Sequence, residues 1–251
     1  MRTLAFAAAL ILTTPAAHTA DIDAMITTAM KAAIDELAPP FERAGGHTLR
    51  IVYGPSGGLV RRLNSGEAAD LIAVDSKALD ALIKEGKVAG ARTDVARTGI
   101  GIAVRKGAPR PDVSSADALK RTLLAAKSIA HTAPAGGGIT AAHILRLFET
   151  LGIAAEVTPK VKLAAGGPDG RVSVLVASGE AEIGLQQVSE LMSNPGVEVI
   201  GMLPAELQQV TLYSAGVTTS AREPGAANAL IRALTMPSAA PIYKARGLDP
   251  T

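Results

Sequence analysis

Short apolar runs alternate with helix-periodic segments along almost the whole chain, and this alternation limits the fold more than any other feature. Residues 24–27, 49–53 and 70–74 read as strands, and helical patterns follow at 29–43, 58–64 and 76–85. In the first and third of these helices Met30, Ala33, Ile34 and Leu37, and Leu79, Leu82 and Ile83, recur at the spacing of one buried face. From residue 99 the run GIGIAVRKG reads as a strand crossing to new territory. A helix over 114–124, with Asp112 or Ser114 near its cap, comes next, then a strand at 127–131 and the stretch APAGGGITAAHILRLFETLG, a glycine-rich turn feeding a long helix. Strands at 161–164, 183–185, 197–202 and 210–218, and helices at 171–178, 224–234 and 238–246, complete the pattern. Repeated β-α-β units with short links predict mostly parallel sheets flanked by helices on both faces, an α/β fold. Two crossings, near 99–104 and 208–216, divide it into two lobes with a cleft between them. Lobe I takes 21–101 and 212–251, and lobe II takes 102–211.

The first 20 residues, MRTLAFAAALILTTPAAHTA, carry an early arginine, an apolar run and a finish of small residues. That is the pattern of a secretory signal peptide, with cleavage expected between Ala17 and Ala20, and its apolar core is too short to span a bilayer. About 231 residues remain, enough for two lobes with real cores. The chain has no cysteine, so an exported protein of this kind depends on packing rather than on disulfides, which fits a bacterial periplasm. Net charge is +2, with 25 basic residues scattered among 23 acidic ones, and there are three Tyr, three Phe and no Trp. A nucleic-acid binder needs a clustered basic face and stacking aromatics, so that class is excluded.

The stretch YGPSGGL opens the second helix, and two chemistries suit it. Gly54, Ser56 and Gly58 satisfy G-x-S-x-G, the nucleophile elbow of hydrolases, and Asp75 with His131 or His143 follows in a permitted order. Yet only one or two strands precede Ser56, where that hydrolase fold needs several and an earlier oxyanion loop. The other chemistry is an anion cradle, because Ser56, Gly57 and Gly58 fall where a helix leaves its first N–H groups unpaired. Gly136 to Thr140 repeat the arrangement about 80 residues later, so two helix starts, one per lobe, can face one cleft. Neither turn continues as Gly-Lys-Ser/Thr or forms a dinucleotide fingerprint, and no His/Cys pair or carboxylate cluster has metal-ligand spacing. No metal or other cofactor is expected.

Three blocks carry a family resemblance: YGPSGGLVRRLNSGEAADLIAVDSKALDALIKEG, TGIGIAVRKG and VLVASGEAEIGLQQVSEL. Together they resemble the molybdate-binding proteins of ABC importers, a branch of the type II periplasmic binding proteins, over nearly all of the mature chain. The resemblance implies a two-lobed fold, two crossover strands at the hinge, and a small anion held by hydroxyls and backbone N–H groups at four places. Carried over, the first place falls near Ala29, where Thr27 or Thr28 supplies the hydroxyl, and the second falls on Ser56. The third falls within Ile139 to Ala141, including Thr140, and the fourth near Asp169 to Arg171. A tyrosine common in the family is replaced by Gln186 or Gln187, which with Arg171 suits a larger or planar anion such as a polycarboxylate.

The candidate ligand-binding set is therefore Thr27, Thr28, Ser56, Gly57, Gly58, Ile139, Thr140, Arg171 and Gln187. The partner implied is the membrane permease of an ABC importer, and the protein is expected to act as a monomer. Exported aconitate isomerases resemble the same branch, which keeps proton transfer on a tricarboxylate as the alternative, with His131 and His143 as candidate bases.

Overall fold

The computed structural model describes residues 19–134, 139–165 and 171–251. Most of the expected signal peptide (1–18), the glycines 136–138 and Asp169 lie outside those residues. In chain order β1 (Asp21–Thr27) leads through a tight 3-10 turn, Thr28–Met30, into α1 (Lys31–Gly45). β2 (Thr48–Gly54) leads into α2 (Ser56–Asn64), and β3 (Leu71–Asp75) into α3 (Ser76–Lys84). β4 (Val88–Thr98) and β5 (Ile100–Arg105) form the outward crossing, interrupted at Gly99. α4 (Ala116–Ala125), β6 (Ile129–Thr132), α5 (Ile139–Thr150), α6 (Ala154–Val157) and β7 (Val161–Ala164) follow. Then come α7 (Val172–Ser178), β8 (Ile183–Gln187), α8 (Val188–Leu191) and β9 (Val197–Met202). β10 (Thr211–Thr218) returns, and α9 (Pro224–Leu234), α10 (Ala240–Ala245) and β11 (Asp249–Pro250) close the chain.

The strands build two sheets, one ordered β11-β4-β10-β3-β1-β2 and the other β7-β6-β8-β5-β9. The α/β, two-lobed expectation holds, with one correction. The sheets are mixed rather than mostly parallel: β1 pairs in parallel with β2 and β3, and β6 with β7 and β8, but β4, β5, β9 and β10 form antiparallel pairs. The reason is topological. One crossing leaves the first sheet and the other comes back, so β4 against β10, and β5 against β9, must run in opposite senses.

Alternation along β1 sends Met25 to one face and Ile26 to the other, and both are fully buried. Met25 joins Leu59, Ile72 and Leu79 beneath α2 and α3, whereas Ile26 joins Ile34, Tyr213 and Leu230 beneath α1 and α9. The second sheet is covered likewise, by Leu119, Ile129, Phe148 and Leu185 on one face and by Ala130, Val172 and Val176 on the other. Burial on both faces is what makes these strands read as continuous apolar runs.

Two local readings are corrected. α4 starts at Ala116, two residues later than expected, and its cap is Ser115, whose hydroxyl accepts the Ala118 N–H at 3.2 Å; Asp112 instead accepts the Ser114 N–H at 2.9 Å. β4 has no counterpart in the expected elements. Its sequence, VAGARTDVART, lacks apolar alternation because its middle residues are exposed or half-buried, with Arg92 paired to Asp80 and Asp94.

Candidate functional site

β1 and β2 end in register, Thr27 beside Gly54, and β6 and β7 end with Thr132 beside Ala164. Ligands of open α/β sheets gather at such carboxyl ends. Here the ends from both sheets meet at one small cavity of about 40 Å³, room for roughly three waters. The first sheet contributes Thr27, Thr28, Ala29, Pro55 and Ser56. The second contributes Thr132, Ile139, Thr140, Arg171, Gln186, Gln187 and Glu190, and Tyr213 of β10 completes the wall.

On the first side the chain supplies hydroxyls and a helix start. Thr28 Oγ1 is buried without a hydrogen-bond partner among the described residues, so its capacity to donate and accept is unused. α2 begins after Pro55, which provides no side-chain cap, and Pro55 and Ser56 bring this positive end of the helix dipole to the cavity wall. Ser56 Oγ accepts the Asp75 N–H at 3.2 Å, which fixes the hydroxyl while leaving its own proton to point elsewhere. Asp75 in turn caps α3 by accepting the Ala78 N–H at 3.1 Å.

On the second side the donors are organised by a buried amide network. Gln186 Nε2 donates to Thr132 Oγ1 at 2.5 Å, and its Oε1 accepts the Gln187 N–H at 3.0 Å. Gln187 Nε2 donates to Thr211 Oγ1 at 3.2 Å, and the Tyr213 hydroxyl donates to Gln187 Oε1. Burial pushes the Tyr213 phenol well above its ordinary range, so it stays a neutral donor. Arg171 precedes α7, and one of its terminal nitrogens donates to Ser193 Oγ at 2.6 Å, whose hydroxyl donates to the Glu190 carbonyl at 2.7 Å. The Glu190 side chain sits within the protein but keeps accessible surface and lines the cavity. Burial pushes its carboxyl up to about 7, with the Arg171 charge opposing that rise.

Seven of the nine expected residues line this cavity: Thr27, Thr28, Ser56, Ile139, Thr140, Arg171 and Gln187. Gly57 and Gly58 are not among its wall residues, and for Gly58 the expectation is corrected. Its N–H donates to the Pro55 carbonyl at 2.9 Å, and the Leu59 N–H does so at 3.1 Å, because the helix closes its own first turn there. The histidines do not reach the cavity wall. His131 Nδ1 bonds the Thr132 carbonyl at 2.9 Å and its ring meets Phe148 edge-on, while His143 Nε2 bonds the Leu207 carbonyl at 2.8 Å. Among the described residues, a serine nucleophile therefore has no histidine beside it. Thr132, Glu190 and Tyr213 were not expected. Glu190 lies three residues beyond Gln187, one turn into the helix after a strand end, so the rule that found Ser56 extends to it.

The family described as bacterial extracellular solute-binding proteins matches residues 22–249. The chain belongs to this family. Among relatives of this solute-binding protein, an aconitate isomerase from a Pseudomonas species is 36% identical over 258 residues, covering 99% of this chain and 96% of the relative. The molybdate-binding protein of Azotobacter vinelandii is 29% identical, covering 92% and 91%. In three dimensions the periplasmic molybdate-binding protein of Azotobacter vinelandii is similar at a TM-score of 0.73 and 20% identity, over 90% of this chain and 98% of that one. The sulfate-binding protein SubI of Mycobacterium tuberculosis gives 0.70 and 19%, over 93% and 88%. These structural likenesses establish the type II periplasmic binding protein fold.

Proposed function

We propose that this protein is a periplasmic receptor that closes its two lobes around a small polycarboxylate and delivers it to the membrane permease of an ABC importer. One observation carries the ligand class: Arg171 lines the same cavity as the Thr28 and Ser56 hydroxyls that come from the opposite sheet. A guanidinium matches a carboxylate in a two-pronged, charge-assisted geometry, while uncapped helix starts and hydroxyls take the remaining oxygens. The Gly57 amide, in the first turn of α2, is the backbone donor assigned to this side. The space beyond the cavity favours an anion longer than a tetrahedral oxyanion. A groove of about 410 Å³ shares Ile139 with it and is lined by Lys77 and Arg146 against the single carboxylate of Asp75, so a second carboxylate finds net positive charge there.

Thermal unfolding with citrate, tricarballylate, malonate, molybdate, tungstate and sulfate tests the proposal. Stabilisation by a polycarboxylate above that by any inorganic oxyanion is the expected result. A response to molybdate and tungstate alone overturns it.

A second reading is favoured by a specific observation, the carboxyl of Glu190 held near neutrality in the cavity wall. A group poised near the working pH is suited to take a proton from one carbon of a tricarboxylate and return it to another, which gives isomerisation with no net change in protons. The 36% identity to an aconitate isomerase supports it. Incubation with cis-aconitate, followed by proton NMR, distinguishes the readings: accumulation of trans-aconitate supports the isomerase, and an unchanged spectrum at long times removes it.

A further inference from the structure

An anion site ought not to contain a carboxylate, and this one does. Glu190 lines the cavity with Arg171, Ser56 and Thr28, yet among the described residues no donor is hydrogen-bonded to its carboxyl oxygens. The Tyr213 hydroxyl, its titratable neighbour, donates to Gln187 instead. An ionised Glu190 facing a bound carboxylate would set two negative charges against each other in a site of low dielectric, which opposes binding. A neutral Glu190 does the reverse, because its O–H becomes a donor aimed at the ligand.

Resting on the polycarboxylate reading above, we infer that Glu190 makes binding proton-linked, its carboxyl meeting the bound carboxylate through one shared proton. Complex formation above neutral pH then takes up close to one proton from solvent, and the site selects carboxylates, which can share that proton, over the anions of strong acids such as sulfate. The surroundings of Glu190 are consistent with this. Arg171, before α7, is the cation whose charge acts on it, and Tyr213 of β10 is the neighbouring titratable group, with Asp75 acting on Tyr213 from the end of β3. The turn Thr28–Met30 packed against α8 brings no charge. The strands β5 and β9 carry Arg105 and Glu198 toward their far ends, remote from Ile100, which pairs with Gln187 beside α8. Burial already holds the ligand-free carboxyl at about 7.

Calorimetry of citrate binding at pH 8.0, in buffers of different ionisation enthalpy, measures the protons exchanged. Wild-type protein is expected to take up close to one proton per citrate, and its affinity is expected to fall about 15-fold between pH 7.0 and 8.5. Glu190→Gln, whose amide donates at every pH, should abolish the uptake and flatten the profile, with circular dichroism confirming that the variant is folded. Binding by wild type without proton uptake overturns the inference and leaves the receptor reading intact; so does a variant that keeps the wild-type slope. Absence of citrate binding by wild type at any pH overturns both.

Discussion

Arg171 and Glu190 divide the electrostatics of the cavity between them. Removing the guanidinium in Arg171→Ala forfeits a charge-assisted hydrogen bond, worth about 1.5–3 kcal/mol, so affinity for citrate should drop roughly 10- to 100-fold by calorimetry. The Ser56 and Thr132 hydroxyls keep their places, since Asp75 and Gln186 hold them. Glu190 yields a stability prediction with a definite sign. Its folded carboxyl titrates near 7 against an ordinary 4.5, so the native state binds more protons than the unfolded chain between those values. Stability contributed by neutral Glu190 is therefore complete below about pH 4.5 and is lost as pH rises through 7. Ligand-free Glu190→Gln should match wild type near pH 5 and exceed it by about 2–3 kcal/mol at pH 8, read from denaturant unfolding at the two pH values. His131 acts in the opposite direction: burial lowers its pKa, so the unfolded state takes the extra proton and stability falls as pH drops below about 6.5. That contribution is common to wild type and variant and cancels in their difference. Ser56 and Thr140 were legible in the sequence because each sits at a glycine-rich helix start, whereas Gln187 was reached only through the family resemblance. Tyr213 was not, because its place in the wall comes from a strand that returns to the first sheet after a long excursion, and nothing local to its sequence records that pairing.

At the scale of elements, local periodicity recovered the strands buried on both faces and the helices laid over them, since burial writes itself into consecutive apolar residues. It failed at β4, whose exposed middle is stabilised by pairing with β10 and β11 rather than by its own apolar content, and at the direction of the pairs beside the crossings. Those crossings are held together by a side chain that periodicity does not reveal. Gln208 Oε1 accepts the Ile100 N–H at 2.8 Å, and its Nε2 donates to the Ile100 carbonyl at 3.0 Å, joining the approach to β10 to the start of β5. Gly99 is small for the same reason, because a Cβ there would meet Met202 at 2.6 Å and Gln208 at 3.1 Å. Gln208→Ala leaves the buried Ile100 N–H without this partner, while the Ile100 carbonyl keeps the Leu203 N–H at 3.0 Å, and should cost about 1–3 kcal/mol of stability by denaturant unfolding. Faster amide exchange at Ile100, with α9 and α10 unaffected, would place the loss at the crossing; uniform acceleration across the chain would contradict that assignment.

For the whole molecule the decisive property is that neither sheet owns a complete site. The first offers Thr27, Thr28 and Ser56, the second Thr140, Arg171, Gln187 and Glu190, and among the described residues two connections join the halves, one into β5 and one into β10. A ligand that touches both sides stabilises the arrangement in which they are close, and it does so in proportion to its preference for that arrangement over the open one. Domain closure of this hinge kind should appear as contraction in small-angle X-ray scattering when citrate is added to saturation, with the profile returning to its starting form on dialysis. The same ligand at about a hundred times its dissociation constant should raise stability by roughly 2.7 kcal/mol. The two measurements separate two physical cases. Stabilisation with contraction means that the lobes move onto the anion. Stabilisation with an unchanged profile means that the ligand-free molecule already rests closed, and that opening is the rare event which sets the rate of entry. In that second case the association rate, followed by stopped-flow, should saturate at high citrate concentration instead of rising linearly, because the opening step and not the encounter limits it.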